Sequence, residues 1–249
     1  MKRTTLALFA APLTLALVAC NGDDATGEVA AGEPIADIAP PEGVAQWRDV
    51  VSVSEYDGYV LGNPDAPIKV VEYASHTCPA CAAFNNEAAE ALKTEYVNSG
   101  VVSFELRNMV LNIFDLTLAS LARCGPEETF HPRADQVWQN LGALQPQIQQ
   151  AAVTLQEQGD VPDNQLYINI ADAAGFFDFF AARGLGRAEA AECLADGAAV
   201  LAVGERSQQQ AEEFNVTGTP TFFVNGTRVD GISWAEVEPV LQRAGARDQ

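Results

Sequence analysis

Apolar positions recur along this chain with two different periods, and the switch between them divides it. Residues 68–73 are apolar apart from Lys69 and Glu72, the pattern of a short strand inside a sheet. After a turn at 74–77, a helix is expected from 79 to about 97, and 101–107 alternates like a second strand. Strand, helix and strand at this spacing make a βαβ unit with a right-handed crossover. From 111 to about 210 the strand pattern vanishes. Helical spacing covers 111–124, then a second helix through Phe130, Val137, Trp138, Leu141 and Leu144, and a third through Ile148, Ala152 and Leu155. Residues 165–183 and 187–194 are expected to add two more, parted by Gly184 and Gly186. A block of this length is too long for a crossover and reads as a helical subdomain. The β pattern returns at 217–231, where Asn225-Gly226 predicts a tight hairpin. Ser233-Trp-Ala-Glu236 is a capping box that opens a last helix with Trp234, Val237, Val240 and Leu241 on one face.

The N-terminal part follows neither period. Residues 1–20 carry Lys2 and Arg3, an apolar run from Leu6 to Val18, and Leu17-Val-Ala-Cys20. The run is too short to span a bilayer and reads as a targeting segment. Its end resembles a bacterial lipobox, which implies cleavage before Cys20 and lipidation of that thiol, the alternative being an ordinary signal peptide. Residues 21–56 are expected to be a flexible acidic tether. The stretch up to about Ala45 holds six acidic residues, three prolines and no aromatic. Folded structure is expected to begin between Trp47 and Tyr59, and residues 62–67 form a turn cluster before the first clear strand.

Composition narrows the functional classes. With 48% apolar residues in 249, a sizeable core is available. A net charge of −20, from 14 basic and 34 acidic residues, argues against nucleic acid and against attraction to anionic lipid.

The chemistry gathers at Cys78-Pro-Ala-Cys81, between the predicted strand and helix. A cysteine at a helix N-terminus meets unpaired N–H groups and the positive end of the macrodipole, which favour its thiolate. Pro79 suits the first helical position. C-x-x-C in this setting signals redox chemistry. The competing reading is half of a zinc site. Zinc needs four ligands, and beyond the other cysteines the chain offers only His76 and His131, with no second C-x-x-C. Neither a metal nor an organic cofactor is expected. His76 is expected either to be solvated in its loop or to act electrostatically on the nearby cysteine, and His131 to lie at the surface.

Taken together, Leu61-Gly-Asn-Pro-Asp-Ala-Pro67, Glu72-Tyr-Ala-Ser-His-Thr-Cys78, Pro79-Ala-Cys81 and Gly218-Thr-Pro-Thr-Phe222 with Val224-Asn-Gly226 resemble the DsbA-like branch of the thioredoxin superfamily. The resemblance implies an α/β thioredoxin fold, residues 57–110 and 211–249, with an inserted all-α helical subdomain at 111–210. It also implies roles for single residues. Cys78 would be the exposed nucleophile, Cys81 the buried resolving partner, Pro220 a cis-proline facing them, and Thr219 a source of backbone groups for an extended substrate. Glu72 stands where this family often keeps a buried acid that exchanges protons with Cys81, unless it points to a wet edge. Cys124 and Cys193 would form a structural disulfide, as in some relatives. Ala80 stands where strongly oxidising members often carry His. The implied activity is thiol:disulfide exchange that puts disulfides into exported proteins bearing free thiols, with a membrane redox partner. A reductase or isomerase of the same fold, or a non-catalytic peptide-binding lipoprotein, are the alternatives.

Overall fold

The computed structural model describes residues 27–156 and 161–247. The targeting segment and Cys20 lie outside them. Six strands form one mixed sheet in the order β1-β2-β4-β3-β5-β6. They are β1 (Val51–Val53), β2 (Tyr59–Gly62), β3 (Ile68–Ala74), β4 (Val102–Asn108), β5 (Thr221–Val224) and β6 (Thr227–Val229). Only β3 and β4 run parallel, joined through helix α1 (Pro79–Ala91), which continues as a π turn and a 3-10 turn to Ser99. One face of β3 is buried throughout (Ile68, Val70, Glu72, Ala74), and on the other burial grows along the strand from exposed Lys69 through half-buried Val71 to buried Tyr73, so its apolar residues do not alternate cleanly. The hairpin between β5 and β6 turns at Asn225 and Gly226, both at positive φ (50° and 80°), as an Asn-Gly turn requires.

Seven helices stand between β4 and β5. They are α2 (Ile113–Ala122), α3 (Phe130–Gln139), α4 (Leu141–Gln156), α5 (Asp163–Ala173), α6 (Phe176–Ala181), α7 (Arg187–Ala195) and α8 (Gly197–Glu213). They share a core of their own, including Leu118, Leu121, Phe176, Phe177 and Phe180. Cys124 and Cys193 are disulfide-bonded beside it. α3 links the two cores: Phe130, Ala134 and Trp138 face the sheet side, and Val137 faces the helices. The last helix, α9 (Trp234–Arg243), is opened by the Ser233–Glu236 capping box and buries Val237 and Leu241.

Several elements differ from expectation. The helix through Phe130 and Leu144 breaks at Asn140, whose side chain donates to Gln136 O at 2.7 Å and competes with the backbone ladder. The expected third helix is instead the second half of α4. Gly175, at φ 70°, divides the segment expected at 165–183 into α5 and α6. α8 was not separately expected.

The tether is the largest correction. From Gly27 onward the chain lies against the folded body. Gly32 N–H donates to Arg243 O at 2.8 Å, Ile35 N–H to Gly245 O at 2.9 Å, and Ile38 N–H to Ser99 O at 2.8 Å. Trp47 Nε1 donates to Ile38 O at 2.6 Å, and Val29 is buried. Apolar residues spaced among the acids, Val29 and Ile35, pack against the core of the sheet, contacts that a tally of charge and proline overlooks. The fit is close at two glycines: a Cβ on Gly32 would lie 2.5 Å from Ala244 O, and one on Gly245 2.4 Å from Glu33 O.

Removing residues up to Ile38 is therefore expected to lower stability by about 2–4 kcal/mol, at roughly 1 kcal/mol per lost hydrogen bond plus exposed apolar surface. Denaturant melts of the full and shortened proteins test it. A tether would leave the midpoint unchanged.

Candidate active site

β3 and β5 run antiparallel with Tyr73 opposite Thr221. The C-terminal end of β3 therefore lies beside the start of β5, and Thr219-Pro220, joined by a cis peptide bond, comes up against the turn that follows β3. That turn is closed by Cys78 N–H donating to Ser75 O at 3.3 Å. Cys78 is the N-cap of α1, with extended backbone, and Pro79 takes the first helical position. The Cys78 sulfur accepts the Cys81 N–H at 3.5 Å, and as a thiol it donates to Thr219 O at 3.4 Å. The two cysteines are not bonded to each other in this structure, and both are buried: Cys81 as expected, Cys78 at 8% exposure against the exposed nucleophile expected, because it is tucked between the head of α1 and Thr219.

The two sulfurs are electrostatically unlike. Cys78 is held down to about 5. The largest cause is the Cys81 side chain hydrogen-bonding to it; the Thr219 side chain and the backbone of Ala80 and Cys81 add to this and outweigh the burial that opposes it. Cys81, fully buried, is pushed far up, by burial first, then by its bond to Cys78 and the charge of Glu72. One cysteine is thus a stable anion and the other a persistent thiol.

Glu72 points inward from β3 and is 2% exposed, so the wet-edge alternative falls away. It lies opposite Phe222, and Phe84 of α1 packs on that ring with centroids 4.4 Å apart, so the helix crosses directly over the carboxyl. Its Oε1 has no hydrogen-bond partner among the described residues. Burial raises it to about 8, with Asp135 and Cys78 adding to the shift and Lys93 opposing it. Glu72 is therefore protonated at neutral pH when Cys78 is reduced. Asp135, on α3, accepts from Asn85 at 2.8 Å and is ion-paired with Lys93.

Both histidines contradict the solvated expectation. His76 is wholly buried, stacked on Trp138, and His131 is 2% exposed with its Nε2 3.0 Å from Tyr59 O. Burial pushes each down to about 3, so both are neutral. The helical block covers the turn holding His76, which no local pattern reveals. Two groups of that block were not singled out in the sequence. Asp115 accepts the His76 N–H at 2.8 Å, and Trp138 Nε1 donates to Ser75 O at 2.9 Å. Asn112 and Asp115 do carry a legible signal, an N-cap residue with an acid three positions on, but it marks only the start of α2. Cys124 and Cys193 stand apart from Cys78, in the helical block.

Among the described residues, no group of three or more His, Cys, Asp or Glu is placed to hold a metal ion. None of their helices is long and apolar enough to cross a membrane. A groove of about 520 Å³ lies on the other face of the sheet, lined by Tyr56, Val71, Tyr73, Arg107 and Phe223. It contains none of the residues around Cys78. An extended protein substrate adds to a strand edge rather than filling a pocket.

Glu72 yields a stability prediction with a definite sign. In the reduced protein its folded value, about 8, exceeds the model-peptide 4.5, so the fold holds a proton that the unfolded chain gives up. Its full contribution exists below about 4.5 and is lost as pH rises towards 8. Glu72→Leu should thus stabilise the reduced protein by about 3 kcal/mol at pH 7 and not at pH 4, in urea melts at the two pH values.

Comparison with known proteins agrees with this geometry. A family model described as thioredoxin matches residues 54–243. A Rickettsia typhi protein provisionally named a protein-disulfide oxidoreductase is 27% identical over 74% of this chain and 61% of its own length. The chain thus spans about three fifths of that relative. Disulfide bond formation protein D of Bacillus subtilis is 26% identical over 74% of this chain and 75% of its own. Among solved structures, a protein-disulfide isomerase from Novosphingobium aromaticivorans matches with a TM-score of 0.69 at 29% identity, over 74% of this chain and 94% of that one. Alpha-DsbA1 of Wolbachia pipientis shares the fold, with a TM-score of 0.62 at 19% identity over 78% and 93%. With its strand order, its helices set between β4 and β5, and residues 54–243 under one family model, the chain belongs to the thioredoxin family and has the DsbA-like form of its fold.

Proposed function

We propose that this protein is a periplasmic thiol:disulfide oxidoreductase that introduces disulfides into exported proteins through Cys78 and Cys81. One observation carries the reading: a nucleophile held near 5 beside a partner kept as a thiol. In the oxidised enzyme a substrate thiolate attacks Cys78 Sγ, and the Cys78–Cys81 bond breaks. Cys81 leaves with the electron pair and takes a proton, for which Glu72, protonated near neutrality, is the donor at hand. A second substrate thiolate then attacks the substrate sulfur of the mixed disulfide. Cys78 departs as a stabilised anion, and the substrate keeps the new disulfide. Thr219, before Pro220, offers its backbone to an extended substrate strand. A membrane redox partner that accepts the two electrons would restore the Cys78–Cys81 disulfide. The disulfide of Cys124 and Cys193 is structural in this reading, and Cys20 carries the lipid that holds the protein at the membrane.

The direction of exchange follows from two opposing magnitudes. Closing a four-residue ring favours the oxidised form by about 2 kcal/mol in the chain-entropy model. Holding Cys78 at about 5 favours the reduced fold by about 3 kcal/mol at pH 7, at 1.36 kcal/mol per unit. The sign is that of a depressed acid: the stabilisation is complete above the unfolded value, near 8.5, and is lost as pH falls through about 5. The reduced form wins at pH 7, which makes the protein an oxidant. The name of the Novosphingobium structure favours isomerisation as a second reading, since the same thiolate also attacks wrong disulfides.

Three measurements test these assignments. Denaturant melts of the two redox forms should place the reduced form about 1 kcal/mol higher at pH 7, with the order inverting near pH ~6. A clearly more stable oxidised form at pH 7 would promote the reductase instead. With a dithiol peptide as substrate, Cys78→Ala should abolish turnover; with a disulfide-bonded peptide, whose disulfide the Cys78 thiolate can attack, Cys81→Ala should accumulate the Cys78–peptide mixed disulfide. Full activity of Cys78→Ala would overturn its role as nucleophile, no turnover by the unaltered protein would leave only the peptide-binding reading, and faster repair of a scrambled protein than oxidation of the peptide would favour isomerisation. The native protein should partition with membranes and Cys20→Ala should not; a mature N-terminus at any other residue refutes the lipid.

A further inference from the structure

The turn that delivers Cys78 is held by the helical block, and the groups that hold it are ionisable. Asp115 lies in the first turn of α2 and is 1% exposed. Its Oδ1 accepts the His76 N–H at 2.8 Å, its Oδ2 accepts the Leu111 N–H at 2.9 Å, and the Ser75 hydroxyl also bonds to it. Beside it, Asn112 donates to Thr77 Oγ1 at 3.0 Å. His76 is enclosed in this clamp. Its ring lies 5.3 Å from that of Trp138 with the planes 11° apart, and it meets Phe130 edge-on. Its Nδ1 stands 3.8 Å from Asp115 Oδ1, and neither ring nitrogen has a hydrogen-bond partner among the described residues. A neutral imidazole has one acceptor nitrogen, and an ionised carboxylate accepts only. A proton on Asp115 gives an orphaned ring nitrogen the donor it lacks, after a closure of less than about 1 Å.

We propose that Asp115 and His76 are a proton-sharing positioning pair for Cys78: Asp115 ties the nucleophile's turn to the helical block, and the pair takes up a proton when Cys78 is an anion and releases it when Cys78 is in a disulfide. The groups facing Asp115 are His76 from the turn and Cys78 from the head of α1, while Arg123, further along α2, faces His76. Burial, the largest cause, raises Asp115 to about 6, and the charge of Cys78 adds to it. His76 stays neutral because burial and Arg123 both disfavour its cation. When a substrate dithiol reduces the protein, two electrons cleave the Cys78–Cys81 bond and Cys81 takes a proton. Cys78 keeps a negative charge. Uptake of a further proton at Asp115 spares the buried turn two neighbouring anions. This deepens the function proposed above and rests only on its assignment of Cys78 as the ionised nucleophile.

The first test needs no variant. The Asp115 carboxyl carbon is titrated by ¹³C NMR in the reduced and oxidised proteins. A midpoint lower by roughly half a unit to one unit in the oxidised form is expected, and equal midpoints overturn the proposal. His76→Phe keeps the stack on Trp138 and removes both nitrogens. It should lower the Asp115 midpoint of the reduced protein, and an unchanged midpoint refutes proton sharing. Asp115→Asn is read through the pH profile of Cys78 alkylation by iodoacetamide. Asparagine copies the neutral carboxyl that the proposal places beside the thiolate, so that midpoint should stay within roughly half a unit of the unaltered protein's. A carboxylate that only braces the turn predicts a clear rise, because a loosened Cys78 loses its helix-end hydrogen bonds. None of these measurements uses a protein substrate. Inactivity in peptide oxidation with a redox-dependent Asp115 would overturn the function and leave the pair standing.

Discussion

The packing of α1 across β3 and β5, centred on Phe84 against Phe222, is the constraint on which the site depends. It sets the helix end that carries Cys78 above the strand that carries Glu72, and it aligns both with the chain entering β5 at Thr219 and Pro220. Phe222 is fully buried, and Trp234 of α9 braces Phe84 from the other side. A rotation of α1 about this contact would carry Cys81 off the carboxyl and Cys78 off the Thr219 carbonyl together. Side chains with no chemistry of their own thus decide whether the reactive ones meet.

The electrostatics of the site are local. A protein with net charge −20 is a poor setting for an extra anion, yet Cys78 is held as one. What offsets the general field is a set of hydrogen bonds at contact distance, from Cys81, Thr219 and the first backbone amides of α1. The cost of that anion appears at its buried neighbours. Glu72 and Asp115 are both raised, chiefly by burial, and both are raised further by Cys78. The charge of the thiolate is thus felt by two buried carboxyls, one in the sheet and one in the helical block.

Much of this was legible in the sequence wherever a local pattern decides the outcome. Asn225-Gly226, the Ser233–Glu236 capping box and Cys78-Pro-Ala-Cys81 each specify their own backbone. Glu72 was legible as an anomaly, a carboxyl in an apolar strand, although its orientation was not. What escaped depends on distant partners. His76 is buried because Trp138 and Asp115, about 40 to 60 positions later, close over it, and His131 because it reaches Tyr59, 72 positions earlier. The break at Asn140 turns on a competition between side chain and backbone that apolar spacing does not register.

The strapped N-terminal segment has a consequence for where this protein can work. A chain extends by at most about 3.3–3.6 Å per residue, so a free run from Cys20 to Tyr56 would reach beyond 100 Å. Hydrogen bonds from Gly32, Ile35 and Ile38 bring the point of departure back to about Gly27, near β6 and α9. If Cys20 bears the proposed lipid, it stands seven residues before Gly27, a separation of at most roughly 25 Å. The folded body would then keep to a thin layer next to the bilayer.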